Sequence, residues 1–445
     1  MLNKCELWHC NVTKQQAVKV SGFLIDTPPM HTALTPRREL ALLLTLAGIQ
    51  FTHVLDFMIM MPLGPQLTAL FAISDAQFGL LVSAYTFAAG ASGLLAASFV
   101  DRFERKRLLL VLYVLFGLTT LACALAPTYG MLMLARIAAG VFGGMLSAMT
   151  QTIIGDVIPF DRRGRATGLV MMSFSLATVV GVPSGLFLAH WGGWHSSFMA
   201  IAVACVLVGA LAVWSLPRLD KHVANARGQN LSFAIRGVLA DRNHRLALAM
   251  SFAMMFAAFT VIPYITIYMQ ANHILLPTEI PFIYLSGGIV TLVSARWIGG
   301  LTDRVGKRTM FQRMLLLSMV PMTLTTLMQP YALPVVLLVS ASLFFCMNAR
   351  MIPGMAFLTS AAQPQFRGAF MSLNGAVQSV SIGLATWLGG LLIQRSPQGQ
   401  VTHYWLCALA GVTASVVAYW LAERVKMHTI DLPADASSPV AAGPP

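Results

Sequence analysis

Apolar residues along this chain do not alternate with polar ones. They run in blocks of about twenty, and short polar stretches rich in Lys and Arg separate the blocks. The blocks lie near 41–62, 78–99, 108–126, 131–153, 166–189, 197–216, 246–269, 282–301, 310–328, 333–357, 370–393 and 403–422. A helix of that length crosses the roughly 30 Å hydrocarbon layer of a bilayer. Backbone groups in lipid have no water to bond, so each block must satisfy its own N–H and C=O groups as a helix. The pattern predicts an all-α membrane protein with twelve transmembrane helices.

One long polar stretch interrupts the series at 217–245, "PRLDKHVANARGQNLSFAIRGVLADRNHR". It separates 40–216 from 246–423, two parts of nearly equal length with six blocks each. Three anchors recur at nearly one offset: Asp101 and Asp303 at 202, Gly164 and Gly368 at 204, Pro62 and Pro263 at 201. The halves therefore read as repeats, two pseudo-symmetric six-helix bundles joined by a cytoplasmic linker. Residues 1–39 form a cytoplasmic lead-in, of which 1–29 is expected to be disordered, as is the tail 424–445, "DLPADASSPVAAGPP" at its end.

Composition supports the bilayer as solvent. The 445 residues are 57% hydrophobic and 10% charged, against roughly 25% charged in soluble domains. The net charge of +13 would suit nucleic acid, but the bases form no patch on a polar domain. Of the 29 Lys and Arg, Arg136, Arg296 and Arg350 fall deep inside blocks and Arg395 in an opposite loop; the rest, with Arg313 near the start of its block, collect on one side. The positive-inside rule makes that side, and both termini, cytoplasmic. The six cysteines form no CxxC pair, and no metal site, phosphate loop or nucleophile–base set stands out. No cofactor is expected, and the chain is not read as an enzyme.

The stretch "VDRFERKR" at 100–107 has a near-copy, "TDRVGKR", at 302–308. With twelve helices in two halves, it resembles the turn between helices 2 and 3 of the major facilitator superfamily, G-x-x-x-D-R-x-G-R-[RK]. The second copy keeps Gly299, Asp303, Arg304, Gly306, Lys307 and Arg308. The first keeps Asp101, Arg102, Arg105 and Lys106 but has Ala97 and Glu104 where glycine is usual. The resemblance covers about 38–425 and implies a gating turn; its arginines can pair with acids on nearby loops such as Asp156 and Asp161, and Arg163 is a further gating candidate. In the fifth helix, Gly181, Pro183 and Gly185 resemble the antiporter motif of drug–proton and arabinose-efflux-like exporters. They remove bulk and one backbone donor, so the helix can bend and pack closely. In the fourth helix Arg136 and small residues share a face, resembling the family's R-x-x-Q-G pattern with Ala139 in place of glutamine.

An ionisable group inside a span is costly unless paired or hydrated. Asp56 is the deep acid, and Gln50, His53 and Asp56 recur every three residues on one face. Asp56 with His53 is the candidate proton-coupling pair, since a carboxylate in a low-dielectric cavity binds protons more readily. A static pair of Asp56 with a span arginine is the competing reading. Candidate cavity residues are Gln50, Arg136, Arg296, Asn348, Arg350, Tyr264, Tyr268, Asn374 and Gln378. The expectation is a monomeric secondary transporter of a bacterial inner membrane. It would move a small molecule by alternating access, efflux against inward proton flow being the leading version. Uptake by proton symport, facilitation, and a non-transporting sensor stay open. Its partners would be a small-molecule substrate, protons and the lipid bilayer, with no nucleic acid.

Overall fold

A computed structural model describes residues 36–100, 103–159, 162–216 and 231–428. The gating-turn residues Asp101 and Arg102, the loop acid Asp161, the first 29 residues and most of the C-terminal tail lie outside the described residues. The chain divides into two compact units, 1–41 and 42–445. Of the first, the described part is the start of the first long helix at Pro36.

The long helices are α1 (Pro36–Ile59), α2 (Asp75–Phe99), α3 (Arg105–Ala124), α4 (Tyr129–Val157), α5 (Arg163–Gly192) and α6 (Trp194–Ser215). The second series is α7 (Arg242–Ala271), α8 (Ile280–Val305), α9 (Lys307–Thr326), α10 (Leu333–Ala361), α11 (Arg367–Leu392) and α12 (Trp405–Arg424). Eleven are long and apolar enough to span a bilayer. The twelfth, α9, is 20 residues long and carries Lys307, Arg308 and Arg313 near its start, which lowers its mean hydropathy. A two-stranded hairpin, β1 (Gln394–Arg395) and β2 (Val401–Thr402), joins α11 to α12.

Packing repeats with the sequence. In the first half α2 packs on α4, and α3 on α4 and α6; in the second half α8 packs on α10, and α9 on α10 and α12. Across the halves the main contacts are α2 with α11 and α5 with α8, again related by exchange of the halves. The proline anchors act alike. α1 stops at Ile59 and resumes as a short helix at Gly64–Leu70 around Pro62; α7 tightens to a 3₁₀ turn at Ile262–Tyr264 around Pro263. Each proline removes a donor from the ladder at the same level of its half.

Glycines set how close the halves come. A Cβ on Gly288 of α8 would lie 2.7 Å from Cα of Val179 in α5. Val179 sits in a π-helical turn, Ala177–Gly181, just before Pro183. The wide turn absorbs the missing proline donor. Gly181 and Gly185 then admit Leu55 and Ile59 of α1, at 2.8 and 2.7 Å from the added Cβ. A widened turn and close packing at the two glycines mark this stretch of α5.

Candidate functional site

Asp56 and Arg136 meet inside the first half, both with fully buried side chains. The guanidinium Nη1 donates to Asp56 Oδ2 at 2.8 Å and to the Asp56 carbonyl at 3.2 Å. The Thr120 hydroxyl donates to Oδ1 at 3.3 Å. Arg136 also lies over the Tyr85 ring, 4.3 Å from its centroid. A charge removed from water needs such partners, and this carboxylate has a cation and a hydroxyl. Tyr85 was hidden in an apolar run of the sequence, with no spacing to mark it.

His53, one turn before Asp56, packs between Tyr85 and Phe116 at 6.2 and 6.1 Å. Neither of its ring nitrogens, nor the Tyr85 hydroxyl, has a hydrogen-bond partner among the described residues. Two of them face Gly143, where a Cβ would lie 2.7 Å from the Tyr85 hydroxyl and 2.9 Å from His53 Nε2. Gln50 is buried on the same helix. Phe57 stacks on Tyr85 at 5.6 Å and reaches Phe259 of the second half at 6.2 Å. The cluster thus lies one side chain away from the boundary between the halves.

The remaining cavity candidates do not gather around this pair. Arg350 is buried in the second half, donating to Ser318 Oγ at 3.3 Å and to the Met254 carbonyl at 3.1 Å. Arg296 lies on the exposed face of α8 with Leu292, Val293 and Trp297. Asn348 is half-buried and bonds the Thr291 carbonyl at 3.4 Å. Gln378 donates to Ser251 Oγ at 3.0 Å and points at Met355 Sδ at 3.5 Å. Asn374 is buried, and its Oδ1 has no partner among the described residues. Tyr264 and Tyr268 part company. Tyr264 donates to the Thr386 carbonyl at 2.5 Å in the α2–α11 seam; Tyr268 donates to the Met328 carbonyl at 2.7 Å and packs on Tyr404.

The two repeated charged turns place basic residues at equivalent positions, each bonded to the loop or helix end beside it. Arg105 bonds Asp156 at 3.0 Å, and Lys307 bonds Ser360 Oγ at 2.7 Å. Lys106 donates to the carbonyls of Val213 and Leu216, and Arg308 to that of Val425, so each caps the C-terminal end of α6 or α12. Arg163 caps α4 through the carbonyls of Ile158 and Gly155. Gly306 takes φ +95°, a conformation that favours glycine. Glu104, in the equivalent turn, takes φ −62° and pairs with Arg107 at 3.0 Å, so that turn works without glycine. Asp303 and Arg304 are exposed. An added Cβ at Gly299, Gly300, Gly164, Gly168, Gly368 or Gly375 meets no atom within 4 Å. These six glycines share the end of α5, α8 and α11 that carries the gating turns.

At the opposite end Arg395 meets Asp75, which the sequence did not single out. Arg395 Nε and Nη2 bond Asp75 Oδ2 and Oδ1 at 2.8 and 2.7 Å. The carboxylate raises the Arg395 guanidinium above its ordinary proton affinity. Gly79, Gly389 and Gly390 admit Tyr264 to the same seam.

Relatives share this architecture. An uncharacterized MFS-type transporter of Bacillus subtilis (YtbD) is 24% identical over 354 residues, 77% of this chain and 85% of that one. A probable sugar efflux transporter of Pasteurella multocida is 28% identical over 190 residues, 43% of this chain and 47% of that one. The crystal structure of a bacterial homolog of the human lysosomal transporter Spinster, inward-facing and unoccupied, superposes with a TM-score of 0.72 at 17% identity, covering 88% and 98% of the two chains. The family model of the Major Facilitator Superfamily matches residues 46–349, and with the repeated helix packing and paired charged turns it places this chain in that superfamily, as a membrane transporter and not an enzyme.

Proposed function

We propose that the chain exports a small organic molecule in exchange for protons, with the Asp56–Arg136 pair as the coupling element. The observation that carries this is a fully buried carboxylate whose charge partner is a fully buried arginine. Protonating Asp56 would cancel the anion and leave Arg136 without its charge partner, which is costly in a low-dielectric interior. A rearrangement that gives Arg136 other partners would then be favoured. That is the differential interaction a proton needs in order to bias two conformations. His53, beside Gly143 with neither nitrogen bonded among the described residues, would pass the proton between the pair and the space between the halves.

The remaining assignments belong to the same reading. The basic side, with both termini and the gating turns, is cytoplasmic, and the membrane is a bacterial inner membrane. The six-helix units are 40–216 and 246–423, with 217–245 as linker, and the chain works as a monomer. The end closed by Asp75 and Arg395 is then the outer one. The partial likeness to a probable sugar efflux transporter makes sugars the first compounds to try.

The test is transport by the purified protein in proteoliposomes with an imposed proton gradient. Candidate compounds come from a metabolite and toxin screen of a deletion strain complemented with the parent or with Asp56→Asn. Gradient-driven movement lost in Asp56→Asn supports the proposal. Equal gradient-driven movement by both proteins refutes it, and movement by neither favours a sensor.

A further inference from the structure

We infer that the hairpin β1–β2 is a latch, and that Asp75 and Arg395 hold the two halves together at the mouth opposite the gating turns during the transport cycle. That this mouth is the outer one rests on the proposed orientation; the latch itself does not depend on proton coupling. The hairpin pairs Gln394 with Thr402 and Arg395 with Val401. It is docked on its own half by Asn272, at the end of α7. That side chain accepts from the Val401 N–H at 2.8 Å and donates to the Val401 carbonyl at 3.1 Å. The hairpin is therefore tied to α7, while its arginine reaches across to α2.

The receiving carboxylate is equally fixed. Asp75 is the first residue of α2, whose start is set by a capping box between Ser74 and Gln77. Its side chain is 5% exposed, and that of Arg395 is 41% exposed. Two parallel bonds from a rigid fork fix orientation as well as distance. Beneath the pair, a Cβ on Gly390 would lie 2.6 Å from the Asp75 carbonyl, so the helices touch along the seam. Above it lies a recess of about 800 Å³ lined from both halves, by Pro65, Thr68 and Asp75 on one side and Gln270, Gly390 and Arg395 on the other. A solute leaving through this mouth must part α2 from α11, and the pair is the charged contact that parting breaks.

Spin labels on Gln66 and Gln400, exposed residues of the first half and of the hairpin loop, report the opening in the full chain in lipid nanodiscs. The parent should show one dominant distance. Arg395→Gln and Asp75→Asn should each raise the population of a longer distance about fivefold, as expected for loss of a bidentate, partly buried ion pair. The double variant should go no further than either single one. Asn272→Ala should act in the same direction by undocking the hairpin, and Arg395→Lys should fall between parent and Arg395→Gln. An unchanged distribution in well-folded Arg395→Gln, or in Arg395→Lys and Asn272→Ala should the first variant not fold, overturns the latch. Independent, additive effects of Asp75→Asn and Arg395→Gln overturn it as well.

Discussion

Two arginines are buried to nearly the same depth, Arg136 in the first half and Arg350 in the second, at 0% and 1% exposure. The first meets a carboxylate, Asp56; the second meets a hydroxyl and a backbone carbonyl. The gating turns show the same contrast. Arg105 bonds the carboxylate of Asp156, and Lys307, at the equivalent position, bonds the hydroxyl of Ser360. The fold repeats, and the acids do not. A proton can change the charge balance of the buried cluster in the first half, whereas the ligands of Arg350 offer no titrating group. On the proposed coupling, the repeat supplies a symmetric frame for movement and the asymmetry of its acids sets where a proton would act on it.

The largest effect that would break this comparison comes from the buried pair. Asp56→Ala should destabilise the protein by about 3–5 kcal/mol, because it leaves Arg136 buried without its anion. Asp56→Asn keeps the shape, costs less, and should abolish uphill transport. Adding Arg136→Gln should restore thermal stability in detergent without restoring uphill transport. Recovery of both would mark the pair as purely structural.

The turns give a smaller test. Gly306→Ala forces a side chain into φ +95° and should cost about 1–2 kcal/mol. Glu104→Gly, where φ is already −62°, should cost about 0.5–1 kcal/mol through backbone entropy. Thermal unfolding of the two variants should rank them in that order. Installing the first half's acid in the second, Ser360→Asp, gives Lys307 a carboxylate and should change stability by about 0.2–1 kcal/mol. The smallest expected effect is that of Arg350→Met on the pH profile of transport, which should not move. Its stability should be unchanged or higher by about 1 kcal/mol, since a well-packed apolar side chain replaces a desolvated charge. A flattened pH profile in Arg350→Met would extend the coupling machinery into the second half.

The helices and the repeat were legible because both rest on local chemistry. A run of apolar residues must become a helix in lipid, and the offsets of Asp101, Gly164 and Pro62 record the duplication. Helix ends were less so: α2 begins at Asp75, where the Ser74–Gln77 box sets it, three residues before the apolar run suggested. The pair Asp56–Arg136 was readable as one of several possible partners, since charge inside a span demands compensation. The latch was not. The sequence does not single out Asp75 and places Arg395 only in an opposite loop, and they lie 320 positions apart. Tyr264 belongs to the α2–α11 seam because Gly79 and Gly390 leave room for its hydroxyl and Gly389 for its ring. That room comes from two helices far away in sequence, and the spacing of tyrosines on α7 carries no trace of it.

The most direct test of the proposed coupling is proton release on substrate binding, followed with a pH-sensitive dye in weakly buffered detergent solution. The parent should release protons when the substrate found by transport is added, and a well-folded Asp56→Asn protein should bind that substrate without releasing them. Unchanged release from Asp56→Asn would contradict the assignment of this carboxylate as the coupling site.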